Sequence, residues 1–142
     1  MAMHPGYLLT ETSASHPGLA RLFLAERVPP APAAGADPEL RHAAQFNDID
    51  MARMHAHEML RRRLVDIDAG LYRATALEAI AAVESIGLRH RRVFLDPALA
   101  ADPALARAIA AHRARRHRRD RMWRLVGFAA LLFLIARLLF GF

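Results

Sequence analysis

Polar and apolar positions separate most sharply in the C-terminal third of the chain. A basic stretch from His112 to Arg124 is followed by Leu125 to Ala136, a run without a polar side chain. Arg137 interrupts this run, which then continues to residue 142. As a helix, residues 125–142 would extend about 27 Å, close to the hydrocarbon thickness of about 30 Å in a bilayer. The pattern therefore predicts a transmembrane helix.

The pattern upstream of the tail predicts further helices. Asp37-Pro38 and Asp102-Pro103 each place a capping carboxylate before a proline at the first helical position. Apolar residues at helical spacing follow over 37–67 and again over 71–87, with a short connection between these stretches. We therefore predict an all-α fold, in which a cytoplasmic helical hairpin is followed by a long C-terminal helix ending in a single transmembrane span.

These elements divide the chain into consecutive segments. We predict that residues 1–36 are a flexible N-terminal arm with a short amphipathic helix and a Pro-rich linker. Residues 37–101 are predicted as a cytoplasmic helical module, 102–124 as a basic juxtamembrane helix, and 125–142 as a C-terminal transmembrane anchor. The apolar residues 93–95 are predicted to be a connector, because one strand alone would leave its backbone without hydrogen-bond partners.

Charge is concentrated next to the tail. Residues 1–88 hold eight arginines and eleven acidic residues, whereas residues 89–124 hold eleven arginines and three acidic residues. At about 100° per residue, the arginines after position 112 surround the helix, as expected where a helix crosses a headgroup layer. We expect this arginine collar and the neighbouring tryptophan to lie at the membrane interface: Arg113, Arg115, Arg116, Arg118, Arg119, Arg121, Trp123 and Arg124.

The collar also predicts an orientation and a location. Basic residues flanking a transmembrane helix stay on the cytoplasmic side, so the N-terminus is predicted to be cytoplasmic and the C-terminus outside. The predicted location is the inner (cytoplasmic) membrane of a bacterium. Arg137 is predicted to be an intramembrane polar residue, which either reaches the far interface or pairs with a partner helix.

Candidate chemistry in the rest of the chain is sparse. Met51, His55 and Met59 share a helix face at i, i+4 spacing, an arrangement that would suit a soft metal or a haem. A mixed helix face with buried methionines is the preferred interpretation, so no metal site and no cofactor are predicted. The sequence holds no cysteine, which excludes a cysteine nucleophile. We expect no catalytic residues.

The predicted function is that of a tail-anchored, non-enzymatic adaptor or accessory subunit. Its expected partners are a bilayer with anionic headgroups and either a protein partner or further copies of the chain, since the small core and Arg137 both favour association. A first alternative is a nucleic-acid-binding protein with an apolar oligomerisation tail. The encircling charge argues against it, because a helix in a nucleic-acid groove concentrates its charge on one face. A second alternative is a metal- or haem-binding helical module.

Overall fold

The structure, a computed structural model, describes residues 3–28, 30–33 and 35–141. Five residues of the predicted arm and anchor lie outside this description: Met1, Ala2, Pro29, Ala34 and Phe142. The strands are β1 (Gly6–Thr12), β2 (Ala20–Ala25), β3 (Glu39–Phe46), β4 (Leu64–Asp66), β5 (Leu71–Tyr72) and β6 (His90–Leu95). The helices are α1 (Ile49–Leu60), α2 (Ala76–Glu84), α3 (Pro97–Ala100) and α4 (Pro103–Phe140).

The strands form one six-stranded antiparallel sheet in the order β4-β5-β2-β1-β3-β6. β1 lies inside the sheet, with Leu8 opposite Leu24 of β2 and opposite Ala44 of β3. The fold therefore mixes helices and strands, and the prediction of an all-α fold with a helical hairpin is wrong.

The stretch after Asp37-Pro38 shows why the helix prediction failed. Residues 39–46 form β3, in which His42, Ala44 and Phe46 alternate on the side that faces the helices. Alanine favours helices in isolation, but β3 pairs with a strand on each side, and these backbone hydrogen bonds override a weak local preference. α1 begins only after Asp48, whose side chain accepts a hydrogen bond from the Met51 backbone N–H at 3.0 Å.

The residues predicted as an arm and as a connector also form strands. β1 and β2 make a hairpin within 1–36, so β2 occupies the place of the predicted short helix. Residues 93–95 belong to β6, which pairs with β3. The connector prediction assumed that these residues had no partner strand, and β3 is that partner.

The main core lies between the sheet and the pair α1 and α2. Phe46 is fully buried there and Leu8 is 1% exposed, packed with residues of both helices. The N-terminus of α2 is fixed by a capping box, in which the Thr75 side chain accepts from the Glu78 backbone and Glu78 accepts from the Thr75 backbone. One side of α2 thus packs in the main core, and its other side packs with α4.

Candidate membrane anchor and its contact with the domain

The C-terminal part of the chain is one continuous helix, α4, of 38 residues. It begins at Pro103, where the Asp102 side chain accepts a hydrogen bond from the Ala104 backbone N–H at 2.8 Å. This confirms the helix start predicted from Asp102-Pro103. At about 1.5 Å per residue the helix is about 57 Å long, enough to combine a domain contact with a membrane crossing.

The second half of α4 is not buried against the domain. Its most apolar 18-residue window has a mean hydropathy of 1.9 and no buried residue. Phe128, Leu132 and Phe133 are each about two-thirds exposed. One C-terminal helix is therefore long and apolar enough to cross a membrane. A water-soluble domain rarely exposes so much contiguous apolar surface, and such surfaces are typical of membrane or protein contacts.

The first half of α4 packs on α2. Leu105 is 4% exposed and contacts a cluster that includes Ile80 and Ala81 of α2, both fully buried. Ala108 and Ile109, one turn further along α4, are partly buried against the same cluster. α2 thus lies between the sheet and α4. Because no break separates the two halves of α4, the sequence predicted to enter the membrane continues directly from the helix that packs on the domain.

Some arginines of the collar contact the domain and others point away from it. Arg113 donates a hydrogen bond to the backbone carbonyl of Glu84 at 3.2 Å. The Arg116 guanidinium occupies the place that a Cβ atom at Gly87 would take. Both arginines therefore lie at the C-terminal end of α2, whose unpaired carbonyls carry partial negative charge. At about 100° per residue, Arg118 and Arg121 point away from this contact.

A buried carboxylate lies beneath this contact. Glu84, 5% exposed, accepts a hydrogen bond at Oε1 from His42 Nε2 at 2.7 Å and from Arg92 Nε at 2.9 Å. Its Oε2 lies 3.4 Å from His90 Nε2. Burial raises the pKa of Glu84, but the hydrogen bonds and charges of His42 and Arg92 outweigh burial and hold the pKa well below its ordinary value. Glu84 therefore stays ionised and ties α2 to β3 and β6.

Sequence analysis missed the role of Glu84. Its position on a helix was predicted, but the residues that surround it come from β3 and β6, which were not predicted as strands. One local signal was available, because Glu84 lies in the apolar helical stretch that includes Ile80, Ala81 and Val83. A buried acidic residue in such a segment requires a cationic partner.

The candidate metal ligands do not converge. His55 and Met59 line a crevice between α1 and α4, whereas Met51 is not among the residues that line it. Within residues 3–28, 30–33 and 35–141, no group of three or more His, Cys, Asp or Glu side chains is placed to hold a metal ion. The crevice thus brings His55 and Met59 together and leaves Met51 outside it.

A second polar group lies on the opposite side of α1. His57 Nδ1 and the Tyr72 hydroxyl are 3.1 Å apart in a cavity of about 810 Å³, which Arg53 and Asp50 also line. Burial raises the pKa of Tyr72, and the charge of Arg53 partly opposes this shift. The tyrosine stays protonated near neutral pH and joins β5 to α1.

Comparison with known proteins adds no family. No family model, curated protein or solved structure matches the chain. The contacts of α4 are thus the observations that bear most directly on function.

Proposed function

We propose that this chain is a small, tail-anchored, non-enzymatic adaptor or accessory subunit that presents its domain at the cytoplasmic face of a bacterial inner membrane. The observation that supports this proposal is the division of α4. Its first half is packed on α2, and the apolar window in its second half has no buried residue. The presented unit is the mixed domain of sheet and helices, which takes the place of the helical module predicted from the sequence.

The proposed orientation follows from the position of the collar. Arg113 and Arg116 contact the domain, so the domain and the collar lie on the same side of any membrane that residues 125–140 cross. Basic flanks of a transmembrane helix stay in the cytoplasm, which assigns the domain to that compartment and Gly141 to the other side.

Single introduced cysteines test this orientation by chemical labelling. The chain has no cysteine of its own, so only the introduced residue can react. Ser15→Cys lies on the exposed surface of the domain, and Gly141→Cys follows the end of α4. In intact bacterial cells, a membrane-impermeant maleimide is expected to label the Gly141→Cys chain, and the Ser15→Cys chain only after the inner membrane is permeabilised. Labelling of Ser15→Cys in intact cells would contradict the cytoplasmic placement.

Arg137 provides a test of the proposed partner. An arginine within a membrane-crossing segment is costly unless it reaches an interface or pairs with another chain. Replacing Arg137 with leucine removes that cost, so the variant is expected to insert at least as well as the original chain. If Arg137 pairs with a partner helix, cross-linking in native membranes should lose an adduct that the original chain forms. The control is Leu139→Ala, a neighbouring change that keeps the arginine and should keep the adduct.

A further inference from the structure

A crevice lies where the domain meets the collar. It has a volume of about 340 Å³, with α1 forming one wall and α4 the other. Ser85 and Ile86, just after α2, form its floor and are both buried. The crevice exists only because α4 packs against the domain, so no local sequence pattern reveals it.

Cationic groups predominate in this crevice. Arg115, Arg116 and Arg119 of α4 line it, together with two acidic residues. Of the acidic residues, Glu58 lies 3.5 Å from Arg61 and is partly neutralised by it, whereas Asp120 has no ion pair among the described residues. His55 and His112 add two imidazoles on facing walls. The arginine side chains supply several forked N–H donors, the geometry that suits phosphate oxygens.

Two of the cationic groups near the crevice act on His112. Its pKa is lowered by burial and, in addition, by the charges of Arg115 on its own helix and Arg63 from the turn after α1. The other charged or titratable groups facing it across the crevice are His55 and Glu58 of α1. A bound anion would relieve this repulsion among cations.

The crevice also lies close to the proposed membrane surface. Arg119 precedes Leu125 by six residues, or about 9 Å along the helix. The headgroup layer outside the hydrocarbon is about 5–8 Å thick on each side. The end of the crevice at Arg119 therefore opens next to the headgroups.

We propose that this crevice is a binding site for a phosphate group, with Arg115, Arg119 and the imidazole of His112 as its ligands. The inference rests on the proposed anchoring, since the membrane brings phosphate to this place. An anionic lipid headgroup and a soluble phosphate ester share the recognised chemistry. The arginines of the crevice would bind a phosphate group specifically. Arg118 and Arg121, on the other side of the helix, would contribute only general electrostatic attraction to an anionic membrane surface.

Two double variants distinguish phosphate binding in the crevice from general electrostatic attraction to the membrane. Arg115→Gln with Arg119→Gln removes cationic groups from the crevice, and Arg118→Gln with Arg121→Gln removes the same charge from the opposite side. The full chain is incorporated into phosphatidylcholine nanodiscs, and the imidazole signals of His112 are followed by NMR. One arm adds phosphatidylglycerol to the discs, and another adds soluble glycerol 3-phosphate to discs of phosphatidylcholine alone.

The His112 signals of the original chain are expected to shift in at least one arm, and that arm shows whether an anionic lipid or a soluble phosphate ester occupies the site in preference to zwitterionic phosphatidylcholine. The crevice variant should weaken the apparent affinity by about tenfold or more, the effect of losing charged hydrogen bonds, while the opposite-side variant changes it much less. Equal weakening in both variants, or no shift in either arm, would overturn the proposal. Incorporation into the discs is scored separately and reports on the anchor alone, because residues 125–140 are unchanged in every chain.

Discussion

Replacing Glu84 with alanine is expected to lower the free energy of unfolding of the domain by about 3 kcal/mol, since breaking a buried ion pair leaves its partners uncompensated. His42 is fully buried and loses the acceptor of its Nε2 proton, while Arg92 can still reach water. Chemical denaturation of the detergent-solubilised chain, followed by circular dichroism, measures the change.

Glu58→Ala is the matched control for this prediction. Glu58 is also a helical glutamate paired with an arginine, but its side chain is 60% exposed. Exposed ion pairs contribute about 0–1 kcal/mol, so the control should lose little stability. Equal losses in the two variants would show that the Glu84 cluster does not hold the sheet and helices together.

The same cluster predicts how stability changes with pH. The folded chain holds the pKa of Glu84 below its ordinary value of 4.5, so the unfolded chain binds the proton more readily. The contribution of Glu84 is therefore complete above that ordinary value and is lost progressively as the pH falls below it. In the Glu84→Gln variant, this part of the acid-dependent loss should disappear from the denaturation profile.

The second large effect is expected in the tail. Leu132 lies near the middle of residues 125–140, and arginine at the centre of a membrane helix costs about 2.5–3.5 kcal/mol on insertion scales. Leu132→Arg places a second arginine in a segment that already contains Arg137. Most of the variant protein should therefore leave the membrane fraction and become soluble or degraded. Quantitative immunoblotting of fractionated cells measures this shift.

Leu139→Arg serves as the control for position. The same residue is introduced close to the end of α4, where the guanidinium reaches the interface more easily and the insertion cost is smaller. Insertion should therefore be reduced far less than by Leu132→Arg. If both substitutions leave the chain in the membrane to the same extent, residues 125–140 do not act as a membrane span.

The success and failure of sequence analysis follow from the range of the interactions involved. The start of α4 depends on neighbouring residues, Asp102 and Pro103, and the apolar run after Arg124 is contiguous, so both are visible locally. The sheet depends on pairings between distant residues. Thr10 lies opposite His42, and Ala43 opposite Phe94, and no short window of sequence contains both members of either pair.

Alanine made this difficulty worse. Ala43 and Ala44 on β3 are fully buried on opposite sides of the strand, yet the same residue type fills the buried side of α2. A residue with a small apolar side chain marks neither a period of two nor a period of 3.6 clearly. The helical periodicity assigned to 37–67 therefore included two strands, β3 and β4, and only residues 49–63 between them are helical.

The candidate site was predictable in composition but not in arrangement. The positions of the collar arginines in the sequence predict a basic ring around a helix. The structure adds that Arg113 and Arg116 lie against the end of α2, and that Arg115 and Arg119 line a crevice with α1. These contacts depend on where α4 packs, which is set by Leu105 and its partners on α2.

Alkaline carbonate extraction of membranes from cells that make the full chain tests the central claim most directly. The α4 residues that share a cluster with α2, Leu105, Ala108 and Ile109, all precede residue 125, so a chain of residues 1–124 retains these contacts and is the matched control. The full chain is predicted to remain in the membrane pellet after extraction, and the 1–124 chain to appear in the supernatant. Release of the full chain into the supernatant would contradict the anchor and, with it, the proposed function.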